Sequence, residues 1–433
     1  MSTTDIFPDR TAPAATVAVG PPEITDARPL DGVFSPESAR PRPTATPRPL
    51  PPKPKNARYE SLDMWRGVAC LLLVCYHAAF FTEDTMRVFD PSSWSVTGAL
   101  LYAIKKTWCG VPIFFVISGY CIAASLDSLR RRPHSLANYF QRRMRRIYPP
   151  LWAATAMAIA WLLLAQSIWN LEGARDYLPF LSDLTAGQWL GNFTATEQWL
   201  HHVTGGQTRY LMANTWTLCY EEQFYALAGL MLLCAPRRPL GVAVVISLAV
   251  LAFRHLFRAC GWTSHGFFCD GHWLLFAAGL LVYQAINYFP RRQIALTVAM
   301  LLAGLAYGLW ERRTGPEWFD RHLGEYFIVA SLFALFLMGA KQFDRAIARH
   351  RLASPFVWCG KRSYSIYLTH YVFVVPLAYG LSCWRPHDAW YTVVIIVPSC
   401  LAAAILSGWV FYGLVECHFQ NTPDSGAGKP ALA

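Results

Sequence analysis

The sequence predicts an all-α integral membrane protein with about ten transmembrane helices in one bundle, and three observations carry that expectation. Of 433 residues, 54% are hydrophobic and only 15% are charged, where soluble domains carry roughly 25% charge. Apolar runs of near-spanning length recur along the chain, and a helix rising about 1.5 Å per residue needs about twenty residues to cross hydrocarbon. The 17 Trp, 20 Tyr and 26 Phe supply rings of the kind that settle at both membrane interfaces.

Residues 1–58 precede the first apolar run and hold thirteen of the 29 prolines, including RPRPTATPRPLPPKPK at 40–55. Proline at that density removes backbone donors and blocks helix and sheet alike, so a disordered, proline-rich cytoplasmic tail is expected. Docking of a partner, or attraction of a basic patch to anionic lipid, is the functional reading of such a tail. No apolar run precedes residue 61, so the first span is expected to direct insertion.

The spans fall near 62–81, 109–127, 148–168, 217–235, 239–257, 271–289, 293–310, 323–340, 364–383 and 390–413. The fourth is the least apolar, because Glu221 and Glu222 sit in its first turns. A membrane domain over 59–418 follows, then a short disordered cytoplasmic C-terminus at 419–433. The net charge of +11 is distributed between apolar runs and forms no continuous face, which favours topology over nucleic-acid binding. Segment 128–147 carries seven Arg and 341–362 carries six Lys or Arg, and the positive-inside rule places both in the cytoplasm together with the two termini. Most of the 12 cysteines lie in apolar stretches, with no CxxC and no Cys/His cluster at ligand spacing, so no metal is expected.

Ionisable groups inside membrane helices are costly and therefore mark function by default. In SLDMWRGVACLLLVCYH, Arg66 and His77 are eleven residues apart, about three helical turns. They share a face, separated by about 16 Å along the axis. Asp63 stands three residues before Arg66, in position to pair with it. In the second span Ser118 and Gly119 make a small polar break. Arg142 with Arg145, and Arg143 with Arg146, recur at i,i+3 and present two guanidinium pairs, the planar forks that suit phosphate. Pro149 and Pro150 are expected to restart the chain at the membrane boundary.

In WTLCYEEQFYAL two adjacent carboxylates cannot share a helix face; one is expected to enter the bundle and orient a histidine, and Glu222 is preferred over Glu221. Asp270, His272, Ser363, Thr369 and His370 are further polar intrusions, and Glu416 is expected to pair with a cytoplasmic basic residue. Segment 169–215, rich in Trp, Asn, Thr and Gly, reads either as a sugar-facing surface or as an amphipathic stretch lying on the membrane.

Taken in order, SLDMWRGVACLLLVCYH, GVPIFFVISGY, YFQRRMRRIYPPLW, WTLCYEEQFYAL and GKRSYSIYLTHYVF resemble the membrane-bound acyltransferase 3 family over roughly residues 60–416. Departures are mild: TLCYEE where a segment richer in serine and valine is usual, and SGY for the commoner SGF. The resemblance implies a ten-helix domain of a bacterial inner membrane that uses cytoplasmic acyl-CoA, with acetyl the expected group. The implied acceptor is a carbohydrate or lipid-linked glycan at the outer side. It implies an essential histidine at His77, a paired arginine at Arg66, an R-x-x-R motif at Arg143 and Arg146, and a glutamate segment at Glu221 and Glu222. The hydrolase-like carboxy-terminal domain of some relatives is not expected here.

On this reading Arg142, Arg143, Arg145 and Arg146 hold the coenzyme phosphates, and the pantetheine arm passes Arg66 and the Ser118/Gly119 break. His77 then deprotonates an acceptor hydroxyl or itself carries the acyl group, and the residues do not separate the two routes. The rival class is a multi-helix transporter; against it, the hydropathy shows no internal repeat and no matching pair of broken helices.

Overall fold

The structure is a computed structural model, and it describes residues 54–55, 59–80, 82, 95–131, 136–168, 180–235, 239–262, 264–385 and 388–420. The proline-rich tail, apart from residues 54 and 55, lies outside the described residues, as do 169–179 and 421–433.

Helices account for nearly all the described chain. They are α1 (Leu62–Phe80), α2 (Val96–Lys105), α3 (Gly110–Arg131), α4 (Leu136–Ile168), α5 (Ala186–Thr194), α6 (Glu197–Thr204), α7 (Trp216–Cys234) and α8 (Pro239–Ala259). Then follow α9 (His272–Asn287), α10 (Arg291–Thr314), α11 (Trp318–Ala340), α12 (Asp344–Arg349), α13 (Ser354–Lys361) and α14 (Ser363–Ser382). The last run joins α15 (Ala389–Tyr391), a π-turn at Thr392–Ile396 and α16 (Val397–Leu414). Among the described residues eight helical runs are long and apolar enough to cross a membrane. Of the ten expected spans, α7 and α9 are helices that fall outside this set: α7 carries two carboxylates near its start, and α9 has only 16 residues. The protein is thus an all-α, multi-pass membrane protein, and outward-facing Leu248, Leu302 and Leu406 are exposed as lipid contact requires.

Two packed regions meet at α1. On one side α3, α7, α9 and α11 enclose Phe115, Tyr220, Phe224, Phe276 and Leu337; on the other, α14 and α16 pack on Cys70, Val74 and Ala78 of α1 itself. Glycine permits the closest approaches. A Cβ on Gly119 would stand 2.0 Å from the Phe276 carbonyl oxygen, and one on Gly279 would stand 2.0 Å from that of Val116, so α3 and α9 touch backbone to backbone. The expectation that Gly119 opens a passage is therefore not how this residue is placed: it faces α9.

Charges buried between α8, α10 and α11 are paired. Arg254 of α8 pairs with Asp320 at 2.6 Å, and Arg258 pairs with Glu311 at 2.9 Å. Glu416 accepts from Ser365, at 3.0 Å from the backbone nitrogen and 2.5 Å from Oγ, where a basic partner was expected. Arg142, Arg143, Arg145 and Arg146 and the following span form one helix, α4, which runs through Pro149 and Pro150 without restarting. Two missing donors leave the carbonyls four residues earlier, on Arg145 and Arg146, without a helical partner; both sit in the polar segment before the apolar run, where that loss is cheapest.

Candidate active site

Two cavities lie against α1, one at each end of the face shared by Arg66 and His77. The first, about 220 Å³, is lined by Arg66, Ser118, Arg143, Arg146, Glu221 and Tyr364 among others. The second, about 290 Å³, holds His77, Asn214, Trp216, His272, His322 and Trp108. Leu73, Val111, Thr217 and Tyr367 line both, so the two cavities adjoin at these residues. There the Thr217 and Tyr367 hydroxyls are 2.7 Å apart. Helix geometry explains the arrangement: Arg66, Leu73 and His77 lie seven and four residues apart and therefore recur on one side of α1.

In the first cavity Arg66 donates to Asp63 at 3.1 Å and to the Cys121 sulfur at 2.9 Å. Arg143 donates to Ser125 Oγ at 3.0 Å and lies 4.9 Å over the Tyr225 ring. These contacts hold both guanidiniums in place while Arg143 and Arg146, one turn apart on α4, face the cavity together. Arg142 and Arg145 are exposed on the other side of the helix, where Arg145 donates to the His418 carbonyl at 3.3 Å.

Glu221 is the carboxylate that enters this cavity, accepting from Ser118 at 3.2 Å and from Tyr225 at 2.5 Å. Glu222 lines neither cavity, and its Oε1 is buried without a hydrogen-bond partner. Ser118 lines the wall that Gly119 does not.

In the second cavity His77 Nδ1 lies 3.0 Å from the Leu73 carbonyl and 3.1 Å from His370 Nε2. His370 Nδ1 faces two carbonyl oxygens, of Tyr367 at 2.7 Å and Ile366 at 3.2 Å, so that nitrogen carries hydrogen. A neutral His370 then accepts at Nε2, the shared hydrogen belongs to His77 Nδ1, and the His77 lone pair is on Nε2. Sequence reasoning noted His370 as a polar intrusion without pairing it to His77; 293 positions separate the two, and no local spacing signals the contact.

A second imidazole in this cavity is also oriented. His272 Nδ1 stands 2.8 Å from Asp270 Oδ1, and Asp270 also accepts from Tyr220 at 2.5 Å, Gly266 N at 3.1 Å and His272 N at 3.1 Å. From segment 180–215, Gln198 of α6 and Asn214 line the cavity. Nearby His265 is pushed down to about 4 by burial, so it is neutral near pH 7. Among the described residues no group of three His, Cys, Asp or Glu side chains is placed to hold a metal ion.

The helical bundle is that of a multi-pass membrane protein, with an arginine-walled cavity beside a histidine-bearing one. The family described as "acyltransferase domain" (Acyl_transf_3) matches residues 59–412, and the chain belongs to it as an O-acyltransferase family member. A protein described as a membrane-bound transacylase, BcsY of Komagataeibacter xylinus, is 26% identical over 376 residues, covering 84% of this chain and 83% of that one. The O-acetyltransferase OatA of Staphylococcus aureus is 23% identical over 318 residues, 67% of this chain and 50% of its own length. The peptidoglycan O-acetyltransferase OatA of Listeria monocytogenes is 22% identical over 368 residues, 80% and 54%. The chain thus spans about half the length of these two OatA proteins. No solved structure matches it.

Proposed function

We propose that the protein transfers an acyl group, acetyl first among the candidates, from cytoplasmic acyl-CoA to a hydroxyl of a carbohydrate or glycolipid at the outer side of a bacterial inner membrane. The observation that carries this reading is the pair of cavities adjoining at Leu73, Val111, Thr217 and Tyr367, with arginines on one side and His77 on the other. Both termini are cytoplasmic, and α7 and α9 complete a ten-helix domain over 59–418. The tail over 1–58 and the end over 419–433 stand outside that domain.

Phosphates cannot enter hydrocarbon cheaply, so they stay with Arg143 and Arg146, and the exposed Arg142 and Arg145 raise the local concentration of the anion. The narrow pantetheine arm runs past Arg66 and Ser118 to a neck at the shared residues, which admits a chain but excludes the charged nucleotide. The Arg66 to His77 rise of about 16 Å along α1 is comparable to the length of that arm. At the neck the acceptor oxygen attacks the thioester carbonyl while its proton passes to His77 Nε2. The C–S bond breaks, coenzyme A leaves as thiolate, and the proton held by His77 returns to it. Hydrogen bonding to His370 orients the ring for this step, and Glu221, through Ser118 and Tyr225, shapes the passage. Glu222, the carboxylate preferred from sequence, has no place in the path.

Protein reconstituted in lipid vesicles with labelled acetyl-CoA on the arginine side and cell-envelope glycan on the other tests the proposal. Label is expected in the glycan. Intact label in acetyl-CoA after prolonged incubation with a folded, acyl-CoA-binding preparation would overturn it.

A further inference from the structure

The walls of the second cavity include His77, ten further His, Trp or Tyr rings, and two amides, yet no Asp, Glu, Lys or Arg. Two hydrogen-bond acceptors are built into those walls. Asp270 is wholly buried and its two oxygens accept four hydrogen bonds, from the hydroxyl of Tyr220, the backbone nitrogens of Gly266 and His272, and His272 Nδ1. A carboxylate so occupied accepts only, so the His272 hydrogen sits on Nδ1 and Nε2 is the acceptor left for the cavity. Asn214 is 3% exposed; its Nδ2 donates to the Tyr367 carbonyl at 2.5 Å, and its Oδ1 is buried without a partner. An orphaned buried acceptor on a cavity wall is a place for a ligand donor.

Flat faces surround these two atoms. Trp318 stacks on His322 at 4.8 Å and 14°, and Trp108 stacks on Tyr326 at 5.3 Å and 22°. Trp318 is 69% exposed, which puts a large aromatic at the mouth. Aromatic planes meet the C–H faces of a sugar ring while hydroxyls at its edge donate to fixed acceptors, and a volume of about 290 Å³ has room for one ring.

We propose that the second cavity is the acceptor subsite and that it takes an uncharged pyranose unit, held by hydrogen bonds from its hydroxyls to His272 Nε2 and Asn214 Oδ1 against the Trp108 and Trp318 faces. A uronate or phosphorylated sugar is rejected there, because its charge would be desolvated without a partner. Asp270 is the positioning residue that holds the His272 tautomer. This inference rests on the reading of the cavity as the acceptor side of an acyltransferase, so its test measures sugar binding separately from transfer.

The probes are neutral gluco-, galacto- and manno-oligosaccharides and the uronates of the same length, titrated against the full chain in lipid nanodiscs by tryptophan fluorescence. At least one neutral series is expected to bind about 10-fold or more tightly than its uronate. His272→Ala and Trp108→Ala are expected to weaken sugar binding while acyl-CoA binding stays within about twofold, and His272→Gln, which restores an acceptor, to recover part of the loss. Equal or tighter binding of the uronates, or no binding of any neutral ring, overturns the proposal. Parallel loss of acyl-CoA binding in all three variants would make His272 and Trp108 structural and overturn their assignment. Failure of the acyltransferase reading has a different signature: no label passing from acetyl-CoA to any glycan while the sugar preference persists.

Discussion

The two cavities on α1 are nearly equal in size and opposite in chemistry. One presents Arg66, Arg143 and Arg146 with Glu221, and the other presents imidazoles, amides and indoles with no fully charged side chain on its walls. A single membrane-embedded chamber serving both purposes would have to solvate a multiply charged nucleotide and still exclude water from the reacting atoms. On the proposed reading, dividing the path lets each side be built for one partner, and only the uncharged arm of the donor needs to cross.

The largest break in this comparison is expected from His77→Ala. Loss of the proton acceptor removes the chemistry from the second cavity while leaving the first intact, so transfer is expected to fall by about 10²–10⁴-fold with acyl-CoA affinity unchanged. Single-turnover transfer and equilibrium binding, measured on the same preparation, check it; unaltered turnover would remove His77 from the mechanism. Closing the neck tests the division itself. Val111→Phe fills the shared wall, and misplacement of the thioester by about 1 Å is expected to cost on the order of 10²-fold in kcat with the nucleotide still bound. Full activity in that variant would mean that the donor takes another route.

The arginine cavity is expected to respond through affinity. Each of Arg143→Ala and Arg146→Ala removes a charge-assisted contact worth about 1.5–3 kcal/mol, so the acyl-CoA KM is expected to rise roughly 10- to 100-fold per substitution, with kcat changed much less. Arg142→Ala and Arg145→Ala, on the exposed face of α4, are expected to change KM less than about threefold and to lower the salt sensitivity of the on-rate. A KM effect equal at all four positions would erase the distinction between cavity wall and surface.

The first cavity was more legible in the sequence than the second, and the reason is physical. Arg66 and His77 share a face of α1, and Arg143 and Arg146 share one of α4, because helical periodicity alone puts them there. The choice between Glu221 and Glu222 depends on the rotation of α7 about its own axis, which its neighbours set; the helix turns Glu221 toward Ser118 and Tyr225. The His77–His370 contact and the Asp270–His272–Tyr220 cluster join distant segments, so composition flags their members only as polar groups in apolar runs. Gly119 was legible as a small residue, but which helix uses the space, α9 and not a ligand, follows from packing. The continuity of α4 through two prolines was hidden for the same reason: a single helix over Leu136–Ile168 is stabilised by tertiary burial that local propensity does not contain.

The smallest effect concerns the segment that lends Gln198 and Asn214 to the second cavity. Glu197, the first residue of α6, is 2% exposed and accepts from the Arg209 backbone nitrogen at 2.8 Å, and burial raises its pKa to about 7. Unfolded, that carboxyl ionises near 4.5; folded, it stays protonated to about pH 7. Between those values the unfolded segment binds fewer protons than the folded one, so its stability falls as pH rises from about 4.5 to 7 and is level on either side. The described walls of the first cavity come from α1, α3, α4, α7 and α14 and none from residues 186–210, so it is expected to show no matching change. Hydrogen exchange of residues 186–210, corrected for the intrinsic rate, is therefore expected to show greater protection at pH 5 than at pH 8, and Glu197→Gln to flatten the difference. Protection that increased toward pH 8 would mean that Glu197 docks as the anion.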